Sequence, residues 1–284
     1  MNSKEKLVLL AFLIMFSCSK EKDSKDTDNN TEDLVLCTSW SKEYQSGPYD
    51  NEVLNFSATY SGNKIISSSR QKIDYIGVTN DYTIVNEYST HIYNGELQIS
   101  TRRSYQGEGD YLGIPLKNIQ FLMEYEYNDD DLLVKQTRTA YNLDEAISSY
   151  QLFYTWTNNN LTRQEKNSEG QLYEVINFDN NRNPIEVIQY SYSSPGQIFR
   201  IITSTYDYTK NSPFMNTTSF YPFYNDELEV NKTYGNPLIS NHYSNTDCTY
   251  YEEPIYNDNG FQISSVRTSS CDSDYLLLYN WYYN

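Results

Sequence analysis

One short phrase recurs along this chain of 284 residues and constrains its fold more than any other feature. The phrase is an aromatic residue, then Asn, Asp or a small polar residue, several turn formers, and an aliphatic or aromatic residue. Asn, Asp and Gly tolerate the positive φ of tight hairpins, whereas aromatic and β-branched residues favour strands. Each copy therefore predicts a strand end, a tight turn and a new strand. The copies begin at Tyr60, Tyr93, Tyr127, Trp156, Phe178, Tyr224 and Tyr256.

Composition and alternation extend this pattern to the whole fold. Tyr supplies 30 residues, and strand-like alternation places Phe121, Met123 and Tyr125 on one face of a sheet. The opposite parity is mixed, so we expect both faces to be partly covered. Prolines between 209 and 246 predict a long connection there, with an edge hairpin around Asn225 and a short helical piece at most. We expect turns at 61–64, 94–96, 128–131, 157–160, 179–183, 225–227 and 257–260.

These signals predict an all-β domain over residues 34–284. Long amphipathic helical patterns are absent after residue 33, and parallel strands would need long crossovers. The predicted architecture is an antiparallel meander of β-hairpin repeats that forms one extended or curled sheet with little helix.

The N-terminus carries an export signal. Lys4 and Lys6 precede ten apolar residues, 7–16, which are too few for a bilayer span of about 20 residues and typical of a signal-peptide core. Ser17-Cys18 resembles a bacterial lipobox, which implies a signal peptide over 1–17, cleavage before Cys18 and lipid on Cys18. Residues 19–33 contain no apolar side chain, so we expect residues 18–33 to form a disordered acidic linker behind the lipid.

The phrase and the N-terminus together resemble known proteins. The copy at 256–260, YNDNG, is similar to the tyrosine-aspartate (YD) repeats of the RHS family. The whole chain resembles tyrosine-rich, Bacteroidetes-type surface lipoproteins of unknown function with degenerate hairpins of this kind. The charged stretch after Cys18 also resembles the surface-export signals of such lipoproteins. The resemblance implies a β-hairpin array on a lipid tether, exposed at the bacterial outer membrane, and no activity.

Three cysteines remain if Cys18 carries lipid. A two-residue turn at Asn259-Gly260 would set Cys248 opposite Cys271 and Glu252 opposite Arg267, so we expect a Cys248–Cys271 disulfide in the exported protein. Pro254 would occupy a hydrogen-bonding position of that ladder, and a bulge there could shift the outer pairs by one. Cys37 is then either a buried small residue or an alternative partner.

Chemistry-bearing residues are few. No phosphate loop, dinucleotide fingerprint or nucleophile elbow occurs, and His91 and His242 are far apart in sequence, so we predict no catalytic residues, metal or cofactor. The calcium-like spacing of Asp179, Asn181 and Asn183 lacks the required Gly and Glu, so a polar turn is favoured.

Two further groups have a structural and a functional interpretation. Glu124 and Glu126 lie about 6.6 Å apart on one strand face, near the spacing of inverting glycosidases, but a solvated strand face is the favoured interpretation. The second group is the C-terminal aromatic set, which either forms cross-strand ladders, the favoured interpretation, or binds sugar rings or proteins. Its members are Tyr279, Trp281, Tyr282 and Tyr283.

The functional prediction is a non-enzymatic, lipid-anchored envelope protein that binds or presents a glycan or another surface protein. The net charge of −17 repels phosphates, so we exclude a nucleic acid partner. Two alternatives remain open, a glycan-active hydrolase that uses strand carboxylates such as Glu124 and Glu126, and a purely structural spacer.

Overall fold

The computed structural model describes residues 36–45, 52–75, 82–111, 113–181, 183–212 and 236–283. The predicted signal peptide, Cys18, the linker and the hairpin around Asn225 lie outside these residues. The described part contains eighteen strands and one 3-10 helix, Leu116–Asn118. No helix in these segments has the length and apolar character needed to cross a bilayer.

The strands are β1 Cys37–Tyr44, β2 Val53–Ser61, β3 Lys64–Tyr75, β4 Tyr82–Asn94, β5 Leu97–Gln106, β6 Asp110–Tyr111, β7 Ile114–Pro115, β8 Ile119–Tyr127, β9 Leu133–Asn142, β10 Glu145–Thr157, β11 Thr162–Asn167, β12 Leu172–Phe178, β13 Pro184–Tyr190, β14 Ile198–Tyr206, β15 Leu238–Tyr243, β16 Cys248–Tyr256, β17 Gln262–Ser269 and β18 Leu276–Tyr283.

Sixteen of these strands form one closed antiparallel barrel. The sheet follows chain order from β1 to β5, skips the small β6–β7 hairpin, continues from β8 to β18, and closes where β18 pairs with β1. Trp40 of β1 lies opposite Trp281 of β18 in this closing pair. The predicted antiparallel, nearly helix-free architecture is confirmed, but the predicted open sheet, extended or curled, is wrong. Closure gives β1 and β18 a partner on each side, so the described barrel sheet has no free edge strand.

Alternation along each strand separates a buried inner row from an outer row. In β8, Phe121, Met123 and Tyr125 are buried, as the sequence predicts, whereas Glu124 and Glu126 are exposed. The buried side chains gather into four apolar clusters along the wall. One of them contains Trp40, Phe56 and Tyr279, and the Trp40 and Phe56 rings stack with centroids 5.5 Å apart. The inner face is therefore an aromatic-rich core.

The repeated phrase marks one end of the barrel. The structure has turns at six of the seven predicted positions, and the seventh, 225–227, is not described. All six lie at the end that also carries Leu36, which we call the proximal end; the opposite end is the distal end. At 128 and 257, an Asn side chain accepts two backbone N–H bonds across its turn. The side chain of Asp179 does the same.

An aromatic rim contains the first residue of four copies of the phrase, Tyr60, Tyr93, Tyr127 and Trp156. Six side chains at the proximal end donate a hydrogen bond to a backbone carbonyl of the neighbouring strand. Most of these aromatic residues also sit at a β-bulge, where the ladder register shifts. The six bonds of this aromatic rim run from Tyr60 to Cys37 (2.7 Å), Tyr93 to Ile65 (2.9 Å), Tyr127 to Gln98 (2.7 Å), Trp156 to Leu133 (2.8 Å), Tyr206 to Pro184 (2.8 Å) and Tyr283 to Gln262.

The β16–β17 hairpin has the predicted register. Glu252 lies opposite Arg267, and Cys248 and Cys271 form a disulfide with Cα atoms 5.4 Å apart. The turn itself differs from the predicted two-residue form, because Asn257 N–H donates to the carbonyl of Phe261. A bulge at Tyr256 then restores the register beyond it. Cys37 is buried and takes no part in this disulfide, in agreement with the first of its two predicted roles.

Candidate functional site

The carboxylate pair of the hydrolase alternative lies on the outer wall. Glu124 and Glu126 share one face of β8, as predicted, and both are exposed. The Glu126 carboxylate pairs with Lys135 Nζ of β9 at 2.7 Å. This arrangement is that of a solvated strand face, which is the favoured interpretation of the pair.

The two histidines occupy separate polar settings. His91 is buried, and its Nδ1 lies 3.0 Å from Thr101 Oγ1 and 3.1 Å from Gln98 Nε2. Burial, with a smaller contribution from the positive charge of Arg103, lowers the pKa of His91 to about 4, so the ring is neutral. His242 Nδ1 lies 3.1 Å from Thr249 Oγ1 on the neighbouring strand. Within the described segments, no three His, Cys, Asp or Glu side chains gather as a metal site would require.

The C-terminal aromatic residues divide between the two faces. Tyr279 and Trp281 are buried and stack with centroids 5.7 Å apart, whereas Tyr282 is exposed. Trp281 lies directly opposite Trp40. The interpretation as cross-strand ladders therefore holds for the inward members.

The inner face also carries buried ion pairs. Glu87 accepts a hydrogen bond from Arg70 Nη2 at 2.9 Å, and its Oε1 also forms an ion pair with Arg103, whose Nε lies 3.2 Å away. Glu252 accepts from Arg267 Nε at 2.5 Å and from Ser265 Oγ at 2.7 Å. Buried charges need such partners, because an unpaired one would carry the full desolvation cost.

A third polar group contains two carboxylates that face each other across two strands. Glu165 of β11 lies opposite Glu174 of β12 and, on its other side, opposite Tyr154 of β10. Glu174 accepts from Arg163 at 3.5 Å and from Gln189 Nε2 at 2.9 Å. Tyr154, Glu165, Glu174 and Gln189 therefore form a polar row across the four adjacent strands β10 to β13.

Glu165 titrates unusually because of this setting. Burial is the main cause and the nearby negative charge of Glu174 the second, and together they raise the pKa of Glu165 to about 7. Arg163 and a hydrogen bond with Tyr154 act in the opposite direction. A shifted carboxyl of this kind occurs at functional sites and in structural ion-pair networks alike.

The pairing of Glu165 with Glu174 is not among the sequence predictions, although the sequence contains a signal for it. The turn at 167–171, NSEGQ, has the same Asn-capped form as the phrase turns, and Asn167 Oδ1 accepts from the N–H groups of Glu169 and Gln171. That turn sets Glu165 opposite Glu174. No aromatic residue precedes it, so it does not match the phrase.

The outer wall contains a cavity of about 240 Å³ near the distal end, which we call the wall cavity. Its lining residues come from three neighbouring strands and one turn. Arg102 of β5 lies opposite Leu122 of β8, and Gln120 of β8 lies opposite Tyr141 of β9. The β9–β10 turn borders the cavity. The lining residues are Arg102, Gln120, Phe121, Leu122, Tyr141, Leu143 and Asp144.

The polar side chains of the wall cavity are not engaged within the fold. Across the described segments, the side chains of Arg102, Gln120, Tyr141 and Asp144 make no hydrogen bond or ion pair. Elsewhere on the outer wall, polar side chains bond to each other across strands. Examples are Ser57 with Ser69 at 2.8 Å, Thr205 with Ser240 at 2.8 Å, and Thr162 with Asn177 at 2.9 Å. The wall cavity thus combines an aromatic ring, both charge signs and an amide, all available to a ligand.

Comparisons with known proteins support the fold. A porin-like protein from Bacteroides uniformis, known from its crystal structure, superposes with a TM-score of 0.50 over 88% of this chain and 96% of that chain, at 13% identity. A porin-like protein from Bacteroides vulgatus gives a TM-score of 0.32 at 9% identity, over 88% of this chain and 99% of that chain. At such identity the first likeness shows the fold alone, a closed β-barrel.

The sequence itself has no match among known families. No protein-family model matches the chain, and no curated protein matches it significantly. The resemblance to RHS-type repeats and to Bacteroidetes-type lipoproteins therefore has no support from a family model. In the structure, the polar residues of the phrase form turns at the proximal end, and four of its aromatic residues belong to the aromatic rim.

Proposed function

We propose that this protein is a non-enzymatic envelope protein, held at the bacterial outer membrane by lipid on Cys18, whose barrel lies outside the bilayer and binds a glycan or another surface protein. The observation that carries the proposal is the polarity of the wall. The outer row carries charged, hydroxyl and amide side chains among exposed apolar ones such as Ile92 and Phe153. The inner row is buried and mostly aliphatic and aromatic, and it encloses the paired charges described above.

A barrel that spans a membrane has the opposite outer surface. Its lipid-facing band is apolar over about 25 Å, and Lys or Arg at the bilayer midplane costs about 2–4 kcal/mol. In this protein the outer wall carries Lys135 paired with Glu126, and cross-strand hydrogen bonds between hydroxyl and amide side chains. Such a wall is suited to water.

The inner row argues against an aqueous channel as well. A 16-stranded porin leaves a water-filled lumen, in which inward side chains are solvated. Here the inward Ile176, Phe178, Val187 and Ile202 form one of the buried clusters, each at most 4% exposed. The second candidate function, a pore, therefore rests on the fold likeness alone.

The location is tested by comparing two forms in a Gram-negative host. The native chain should take up a palmitate analogue and fractionate with the outer membrane, and Cys18→Ala should lose the label. A form in which a non-lipoprotein signal peptide replaces residues 1–18 should be soluble without detergent. If this form still needed detergent, the barrel would be in the bilayer and our proposal would be wrong.

Function is tested on the purified protein. Stepwise conductance in planar bilayers would support the pore instead. Hydrolysis of a polysaccharide panel would support the enzyme alternative, with Glu124→Gln and Glu126→Gln as the first variants. A glycan array tests binding, and a protein that binds neither glycans nor surface proteins would fit the spacer alternative.

A further inference from the structure

We propose that the wall cavity binds a single neutral sugar unit, such as the terminal hexose of a glycan. This inference rests on the proposed binding function and assigns a site and ligand class to it.

The size of the cavity limits the ligand. About 240 Å³ is smaller than the roughly 300–1,000 Å³ of pockets that hold drug-sized molecules, so the space suits one ring and not a chain of rings. The cavity lies near the distal end, and Leu36, where the described chain begins, lies at the proximal end. The cavity and Leu36 therefore lie at opposite ends of the barrel.

The chemistry of the lining selects a sugar. A sugar ring presents hydroxyl groups at its edge and C–H groups on its faces. The Asp144 carboxylate can accept from hydroxyls, and the Arg102 guanidinium and the Gln120 amide can donate to hydroxyl or ring oxygens. The Tyr141 ring offers an apolar face, and Leu122 and Leu143 add aliphatic surface.

The charges favour a neutral ligand. One guanidinium and one carboxylate line the cavity together, so neither charge sign dominates locally. The whole chain carries −17, which repels polyanionic glycans over longer distances.

The backbone of Leu143 is an independent sign of function. Three two-residue turns of the barrel have a first residue with positive φ. Two of them use glycine, Gly62 at φ 61° and Gly95 at φ 58°, and the third uses Leu143 at φ 56°. An L-residue is strained in this region, which favours glycine. The side chain of Leu143 is nevertheless 64% exposed at the cavity, so core packing does not explain why leucine stands there.

The test uses the full mature chain, purified without its lipid, on an array that carries neutral and uronic-acid glycans. We expect binding to one or more neutral glycans, with at least a tenfold loss in Tyr141→Ala and in Asp144→Asn. Tyr88→Ala, which removes an exposed ring from β4 on the same wall, should bind like the native chain. Melting curves verify that each variant is folded; all three positions on the wall are partly or fully exposed, so folding should persist.

Three outcomes would overturn the assignment. They are an absence of neutral-glycan binding, binding only to uronic-acid glycans, and neutral-glycan binding that both cavity variants retain. The last outcome would leave glycan binding in place and move its site elsewhere. None of the three alters the fractionation result for Cys18, so failure of this site and failure of the envelope location can be told apart.

Discussion

The hydroxyl of Tyr127 in β8 donates a hydrogen bond to the backbone carbonyl of Gln98 in β5, 2.7 Å away. The bond joins two consecutive copies of the phrase, because Gln98 follows the turn of one copy and Tyr127 begins the next. Tyr93 makes the equivalent bond to Ile65. From β1 to β10 the aromatic rim therefore links each proximal hairpin to the strand before it.

Removal of single rim hydroxyls should weaken the barrel measurably. Tyr127→Phe and Tyr93→Phe each leave a carbonyl without its donor, so we expect each to lower the free energy of unfolding by about 1 kcal/mol. Tyr88→Phe is the matched control, since Tyr88 is exposed and its hydroxyl contacts only Gln106, at 3.4 Å. Urea unfolding gives the values. Equal effects of the rim and control variants would show that the rim bonds contribute nothing.

The disulfide should stabilise the distal end. It closes a loop between residues 248 and 271, a sequence separation of 23, for which chain entropy gives about 3 kcal/mol. We expect the double variant Cys248→Ala, Cys271→Ala to lose about that amount. A reducing agent should destabilise the native protein and leave the double variant unchanged. A linkage of Cys37 in non-reducing mass mapping would contradict the pairing.

Glu165 should make stability fall as pH rises. Its folded pKa of about 7 exceeds the ordinary value near 4.5, so between these values the folded carboxyl holds a proton that the unfolded one has released. The native state therefore binds more protons, and the free energy of unfolding decreases with pH in this window. Glu165→Gln, which cannot ionise, should be more stable than the native protein at about pH 8 by roughly 3 kcal/mol, since one pKa unit corresponds to about 1.4 kcal/mol.

The Glu165→Gln difference should shrink toward about pH 5, where the native carboxyl is protonated in the folded state. Chemical unfolding at several pH values measures it. Glu169→Gln is the control, because Glu169 is exposed in the turn at 167–171 that follows β11, and it should show no such dependence. A difference that stays constant with pH would mean that Glu165 ionises normally.

His91 should make stability fall as pH decreases, which is the opposite of the effect of Glu165. Its folded pKa of about 4 lies below the ordinary 6.5, so between these values the unfolded ring binds a proton that the buried ring does not. The free energy of unfolding of the native protein should therefore fall as pH drops through this window, by about 3 kcal/mol in total. His91→Gln should remove this dependence, while His242→Gln, whose ring is partly exposed, should retain it. The NMR titration of the His91 ring gives an independent check, because a pKa near 6.5 would refute the argument.

Local sequence determines much of this fold. Turn chemistry places the hairpins, alternation in β8 and β10 identifies the inner row, and the Asn257 turn with the Glu252–Arg267 pair gives the β16–β17 register. Each of these features depends on residues close together in the chain. For that reason a single sequence suffices to predict them.

Closure and the wall cavity could not be predicted in this way. Trp40 and Trp281 meet only because the accumulated register of sixteen strands brings β1 to β18, and no local pattern encodes that meeting. The wall cavity likewise draws Arg102, Gln120 and Tyr141 from three strands, where each residue alone is an ordinary polar surface residue. The pairing of Glu165 with Glu174 lies between these cases, because it depends on a turn that the phrase does not cover.

Leu143→Gly should stabilise the barrel and at the same time weaken glycan binding. Leu143→Gly relieves a left-handed backbone that costs an L-residue about 1–2 kcal/mol, and the greater freedom of unfolded glycine offsets part of this gain. We expect a net stabilisation of about 0.5–1 kcal/mol together with weaker binding of neutral glycans, because the cavity loses aliphatic surface. Gly95→Leu is the reciprocal control: a Cβ at Gly95 would meet no atom within 4 Å, so no steric clash at Cβ adds to the difference between backbone strain and unfolded-state entropy. That variant should destabilise the barrel by a similar amount without affecting binding. If Leu143→Gly were instead destabilising, the leucine would serve the fold, and its placement at the wall cavity would no longer point to a ligand.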